Sequence, residues 1–325
     1  MNVLKFGGTS VANAENITKV INILKSEAKD TQLLAVVSAL GGITDVLLEA
    51  GELANAKDEA YLTTFDAIKA RHLETVEALF PEHIKEDIIS EVSAILERLK
   101  DILQGIYLIN EFSFKTRDKV LSFGELLSSY IISEALKLHV KDAQLKDSRE
   151  LIATDSYFTK ANVKEELTNQ NITSYFKSSK ASVTVLPGFI SRNEIGETTT
   201  LGRGGSDYTA AILASALNAS QLEIWTDVSG MYTAHPKLVK QAFPIAQISY
   251  QEAMELSHFG AKVLYPPTIQ PVLDKNIPIL IKNTFFPEDK GTRIVPTVSE
   301  DNPIKGISHL EQIALLTLEG NGMVG

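Results

Sequence analysis

Lys5 closes a short apolar run and leads at once into Gly7 and Gly8, while Arg203 lies inside a second glycine cluster that ends at Ser206 and Asp207. A further lysine, Lys262, follows Gly260 and Ala261. Glycine-bearing turns at 5–10, 38–45 and 202–207 each precede a helix-like stretch. Small residues let backbone N–H groups approach an anion, and a helix N-terminus adds a favourable dipole. Each turn is therefore a candidate phosphate cradle, although a glycine turn before a helix also serves as a plain tight connection. None has the Gly-Lys-Ser/Thr ending of a Walker loop, and Gly202 to Gly205 lacks the spacing of a dinucleotide fingerprint. Lys5 adds weight, because a lysine at the carboxyl edge of a parallel sheet points to where open α/β folds bind ligands. Asp207, at a helix start, either caps that helix, worth about 1 kcal/mol, or orients the nearby lysines. Glu125, on a helix beside Gly124, is unremarkable by itself.

The elements that must position these groups follow from periodicity. Residues 2–6 read as a strand, 15–27 as a helix, 32–37 as a strand, and a further helix starts near 44–45. Residues 58–104 read as two long amphipathic helices, an insertion or lid with a solvated face. A helix over 115–138 carries 122–125, and strands follow near 140–145 and 183–186, the second running through Pro187 and Gly188 into Phe189. After the threonines at 198–200 and the third glycine turn come an alanine-rich helix, a strand at 221–226, a helix at 250–256 and a strand at 277–281. Such alternation predicts an α/β fold, a three-layer αβα sandwich with a largely parallel sheet. Residues 287–304 read as a linker, and 304–318 resumes strand-like alternation.

Composition narrows the function classes. The 325 residues include 44% hydrophobic and 22% charged residues, an ordinary folded profile. A net charge of −10 argues against nucleic acid and anionic membrane as partners, since both reward basic surface. There is no cysteine, and the six histidines show no ligand spacing, so no protein metal site is expected. Without a signal-like start or a run of about 18 apolar residues, the expected location is the cytoplasm.

Five motifs in order, Lys5-Phe6-Gly7-Gly8-Thr9-Ser10, Ser122-Phe123-Gly124-Glu125, Leu201 through Asp207, Trp225-Thr226-Asp227-Val228 and Gly260-Ala261-Lys262-Val263, resemble the aspartokinase branch of the amino acid kinase family. Residues 249–264 and 304–308 resemble more narrowly the kinase half of bifunctional aspartokinase–homoserine dehydrogenases. The resemblance implies a catalytic domain over 1–290 with a helical insertion at 58–104, a linker at 291–303, and at 304–325 the truncated start of a small α+β, ACT-like regulatory domain. It implies ATP-dependent phosphorylation of the L-aspartate side chain, with ATP and Mg²⁺, and a homo-oligomer for the full-length protein. By the same resemblance Lys5, Asp207 and Lys262 are the catalytic set, with Gly7, Gly8 and Gly42 as backbone donors to phosphate. Ser38, Thr44, Glu125, Phe189, Arg203 and Ser206 would hold aspartate, Arg203 taking its α-carboxylate and Glu125 its ammonium. Thr226, Asp227, Tyr232, Lys237, Lys262 and Val263 would line the nucleotide side.

Two departures from the family pattern stand out. His235-Pro236-Lys237 replaces the usual Asp-Pro-Arg, which keeps a charge but loses the guanidinium fork, and Tyr265-Pro266-Pro267-Thr268 replaces His-Pro-Arg-Thr. Two alternatives stay open: a related family member acting on another acceptor, and a catalytically silent regulatory subunit.

Overall fold

Alternation along the first strand decides where the charged residues can meet. The computed structural model describes residues 1–29, 31–258, 264, 265, 267, 269–298 and 304–309. Strand β1 (Asn2–Phe6) sends Leu4 and Phe6 into one core, and Val3 into the other. Because side chains alternate along a strand, Lys5 shares the face of Val3. The chain continues through α1 (Ala14–Glu27), β2 (Leu33–Val37), α2 (Ile43–Asn55), α3 (Ala60–Leu79), α4 (Glu82–Ile109) and α5 (Phe114–Lys137). Then come β3 (Ala143–Leu145), β4 (Ala153–Thr154), α6 (Glu165–Ser178), β5 (Val183–Pro187), β6 (Ile190–Asn193), β7 (Thr198–Thr200) and α7 (Gly205–Ala216). The last described elements are β8 (Leu222–Thr226), β9 (Gln247–Ser249), α8 (Tyr250–His258), α9 (Gln270–Leu273), β10 (Ile279–Asn283) and β11 (Thr292–Val295).

The main sheet runs β3-β5-β2-β1-β8-β10-β11-β9. The first six strands are mutually parallel, while β11 pairs antiparallel with β10. Helices α1–α5 bury their apolar sides on one face, and α6–α9 on the other, which gives the three-layer αβα sandwich. β1 is central, with β2 on one flank and β8 on the other, so the chain changes winding direction at its carboxyl end, where open α/β sheets bind ligands.

Two local expectations need correction, and one small sheet was not foreseen. The segment 291–303, read as a linker, contains β11, whose Ile294 is fully buried in the second core. Residues 153–154, 190–193 and 198–200 form a separate small sheet, β4-β6-β7, too short and polar to announce itself by alternation. The hairpin α3–α4 is no lid, since none of its residues lines the main cavity. Its inner stripe, with Phe65, Ile68, Leu96 and Leu99 at 0–2% exposure, is packed into the first core with α2 and α5. Each such side chain contributes about 1.5–3 kcal/mol by burial, too much for a flap to give up on opening. Of the segment read as the regulatory start, only 304–309 is described, and 310–325 lies outside the described residues.

His72 lies in that stripe at 0% exposure, with Nδ1 2.7 Å from the Ile68 carbonyl oxygen and Nε2 unpaired. Burial depresses its pKa from 6.5 to about 4. Between those values the unfolded chain takes up a proton that the native protein refuses, so stability falls as pH drops through the window, by on the order of 3 kcal/mol in full. His72→Leu should lose this component. Urea midpoints from pH 4.5 to 7 should then fall less steeply in the variant than in the parent, and parallel curves would show that His72 does not titrate on unfolding.

Candidate active site

The cavity opens where β1, β2 and β5 end. Its volume is about 710 Å³. Lys5 enters from β1, on the α7 side as alternation requires, and its Nζ lies 2.7 Å from Asp207 Oδ1, each side chain 12% exposed. Ser38 follows β2 and Phe189 follows β5, and both line the same space. Phe189 holds a left-handed backbone (φ 65) that a bulky residue avoids, with its N–H bonded to Thr209 Oγ1 at 3.1 Å. Thus the pocket wall is fixed at some conformational cost.

Two helices begin at the cavity. Gly42 precedes α2 at φ 84, and Gly204 precedes α7 at φ 70, both in the left-handed region where glycine is at ease. Neither helix has a side-chain cap; the Ile43 and Gly205 N–H groups are spent on the Leu40 and Gly202 carbonyls, and the next residues, Thr44, Asp45, Ser206 and Asp207, all line the cavity. Both positive dipole ends lie near Lys5, which makes this end of the cavity suited to phosphate. Gly8 also lines it, but the Gly7 amide does not serve as expected: it donates to the Trp225 carbonyl at 3.2 Å and is spent on joining β1 to β8.

Glu125 sits on α5, which comes close to the second glycine turn because residue 124 is glycine. A Cβ there would lie 2.8 Å from the Ala39 Cβ. Glu125 is 3% exposed, accepts one bond from the Ala39 N–H at 3.3 Å through Oε1, and leaves Oε2 without a partner. Burial pushes its pKa up from 4.5 to about 8. An unpaired buried carboxylate is costly, and a ligand cation would relieve that cost. Arg203 lines the same cavity and stacks its guanidinium 5.4 Å from the Tyr265 ring. Tyr265 is thereby part of the wall of a second, 620 Å³ cavity, which shares Arg203, Gly204 and Asp207 with the first and includes Pro267. The departures at 265 and 267 therefore face a cavity.

Of the sequence-derived candidates, Lys5, Gly8, Ser38, Gly42, Thr44, Glu125, Phe189, Arg203, Ser206 and Asp207 converge on the main cavity. Thr226, Asp227, Tyr232 and Lys237 do not line it. Thr226 ends β8 and bonds Asp227 at 3.2 Å, Tyr232 bridges to Pro244, and Lys237 is exposed. Lys262 and Val263 lie outside the described residues. Sequence reading missed Arg117 and Leu121, which line the cavity with Glu125 as one stripe of α5. Their i, i+4, i+8 spacing was a usable signal. Among the described residues no group of three or more His, Cys, Asp or Glu is placed to hold a metal, and no helix is long and apolar enough to cross a membrane.

The model for the amino acid kinase family matches residues 1–283. The bifunctional aspartokinase/homoserine dehydrogenase of Buchnera aphidicola is 36% identical over 333 residues, covering 98% of this chain and 40% of the relative. A chloroplastic bifunctional aspartokinase/homoserine dehydrogenase 2 of Arabidopsis thaliana is 33% identical over 330 residues, covering 99% and 36%. The chain thus spans well under half the length of these relatives. Among solved structures, E. coli aspartokinase III in complex with aspartate and ADP superposes with a TM-score of 0.83 at 34% identity, over 94% of this chain and 67% of that one. Clostridium acetobutylicum aspartate kinase gives 0.75 at 31%, over 93% and 63%.

The burial of Glu125 has a measurable consequence for the ligand-free protein. The native state keeps the proton up to about pH 8 while the unfolded chain loses it near 4.5, so native protein holds more protons in between. Stability must then fall as pH rises across that window. Glu125→Gln should remove this decline, raising the thermal midpoint at pH 8 relative to the parent while matching it near pH 5. An equal shift at both pH values would place Glu125 in contact with water or an unseen cation.

Proposed function

The chain belongs to the amino acid kinase family, and from that premise we propose that it transfers the γ-phosphoryl group of ATP to the side-chain carboxylate of L-aspartate. The products are 4-phospho-L-aspartate and ADP. The observation that carries the reading is Glu125, a buried carboxyl with one unpartnered oxygen in a cavity whose other charged lining is Lys5, Arg117, Arg203, Asp45 and Asp207. Such a group suits an acceptor that brings its own ammonium.

Each residue then has a task. Glu125 takes the α-ammonium, and Arg203 meets the α-carboxylate with its planar fork. Ser38, Thr44 and Ser206 orient the acceptor, with Phe189 as the apolar wall. The β-carboxylate, with an ordinary pKa of about 3.9, arrives ionised and needs no general base. Its oxygen forms a bond to phosphorus as the bond from phosphorus to the β–γ bridging oxygen breaks, and the electron pair leaves with ADP. The difficulty is anion meeting anion, and fixed charge answers it: the Lys5 ammonium, held by Asp207, and the amide ends of α2 and α7 face the oxygens where charge accumulates. Mg²⁺ brought in with the nucleotide would supply further neutralising charge, and no cluster among the described residues is assigned to hold it. Thr226, Asp227, Tyr232, Lys237, Lys262 and Val263 make the nucleotide side in this reading.

The wider reading extends the motif resemblance and is part of the same proposal. The catalytic domain, read from the sequence as 1–290, extends through β11 to Val295, 304–325 begin a regulatory module, and the full-length protein is a homo-oligomer of the cytoplasm. Its product serves threonine, methionine and lysine synthesis.

The test is acceptor-dependent ADP release with MgATP and aspartate, glutamate, acetylglutamate, carbamate or a nucleoside monophosphate, with hydroxylamine trapping of the acyl phosphate. Aspartate should be preferred, and Lys5→Ala should lower turnover at least about 10²-fold in a folded variant, the scale of one preorganised donor. Preference for another acceptor would overturn the substrate, and ATP binding without turnover on any acceptor would favour a silent subunit.

A further inference from the structure

Helix α5 carries a second buried carboxylate, Asp118, seven residues before Glu125 and fully excluded from solvent. Asp118 Oδ2 accepts the Thr159 N–H at 2.9 Å and the Thr200 N–H at 3.0 Å, while Oδ1 accepts the Thr200 hydroxyl at 2.7 Å. It does not line the cavity, but what it holds does: Thr159 and Thr200 are both in the wall. The two come from different segments that flank Gly202. A Cβ on Gly202 would lie 3.1 Å from the Thr159 carbonyl oxygen, and Thr200 leads through Leu201 and Gly202 into Arg203. Thr159 also holds φ 71, a conformation a β-branched residue resists, so its place depends on being tied. Burial raises the Asp118 pKa, and the three donors work against that rise.

An anion buried without a bonded cation is tolerated where several donors converge on it, and a carboxylate oxygen has the lone pairs to take two amides at once. Neighbouring groups do not substitute. Arg117, next in sequence, turns its guanidinium to Glu52 and the Phe112 ring. Seven residues are two helical turns, so Asp118 and Glu125 lie on one side of α5 about 10 Å apart. The geometry points to Asp118 as a positioning residue of the acceptor site: through Thr159 and Thr200 it sets the Arg203 turn at a fixed separation from Glu125, so that one rigid helix fixes both anchors of the amino acid. This rests on the acceptor reading above for its kinetic consequence, though not for its structural one.

The test compares Asp118→Ala and Asp118→Asn with the parent by amide hydrogen exchange and by steady-state kinetics. In Asp118→Ala, water can enter the small space and pair with the freed amides, so the fold should persist. Protection at Thr159 and across 200–204 should drop roughly tenfold or more, the scale of a hydrogen bond to a charged group, while β1 and β2 keep theirs. KM for aspartate should rise by a similar factor with KM for ATP changed less than about twofold. Asp118→Asn keeps an oxygen for both amides and should hold the aspartate KM within about threefold of the parent. If the alanine variant does not fold, the asparagine variant decides, and a tenfold rise in its aspartate KM with protection unchanged would overturn the proposal. So would unchanged protection at 200–204 in Asp118→Ala, or equal rises in both KM values. Should the parent transfer nothing to aspartate, the acceptor reading falls and the exchange result alone decides Asp118.

Discussion

Lys5 keeps an ammonium at 12% exposure in the middle of a sheet, and Asp207 at 2.7 Å is what makes that tolerable. A cation removed from water is stable only beside an anion or several acceptors. The pair therefore ties the central strand β1 to the first turn of α7, and much of the remaining architecture serves to bring these two together. Gly188 must be glycine for α7 to come so near, because a Cβ would sit 2.6 Å from that of Ser206. With α7 in place, its amino end faces the same space as that of α2, and the cation and two dipole ends act in concert.

Glu125 is the opposite case, a buried charge site that the fold leaves unsatisfied. Stability alone would favour an apolar residue there, since a buried carboxyl with an unpartnered oxygen lowers it even when it holds its proton. A binding site that waits for a cation needs this imbalance, and pre-existing need is what turns a weak ammonium contact into specificity. Lys5 with Asp207 puts a compensated charge pair in the cavity wall, and Glu125 puts a carboxyl with an unpartnered oxygen in the same wall.

How much of this could be read beforehand depends on how local each signal is. Apolar runs located β1, β2, β5 and β8 because strands buried on both faces are continuous in sequence, and Lys5 stood out by interrupting one. The glycine turns were visible as turns, yet not the use of each amide: whether Gly7 bonds Trp225 or a ligand is settled by where β8 pairs. Glu125 was invisible as a buried group, since a glutamate on a helix is ordinarily solvated, and its burial arises where Gly124 lets α5 touch the turn at Ala39. The small sheet of β4, β6 and β7 and the strand β11 were missed for the same reason: segments of two to four residues have no period to read. Asp118 belongs there too, since its partners are 41 and 82 residues away.

The central claim is that Glu125 is protonated in the free protein and ionises to receive an amino acid ammonium. Calorimetric titration of L-aspartate at pH 7 into the protein with a non-hydrolysable ATP analogue, in buffers of different ionisation enthalpy, counts protons released on binding. With a free-state pKa of about 8 the account predicts release approaching one proton per site, absent in Glu125→Gln. Binding with no dependence on buffer, in the parent at pH 7, would contradict it.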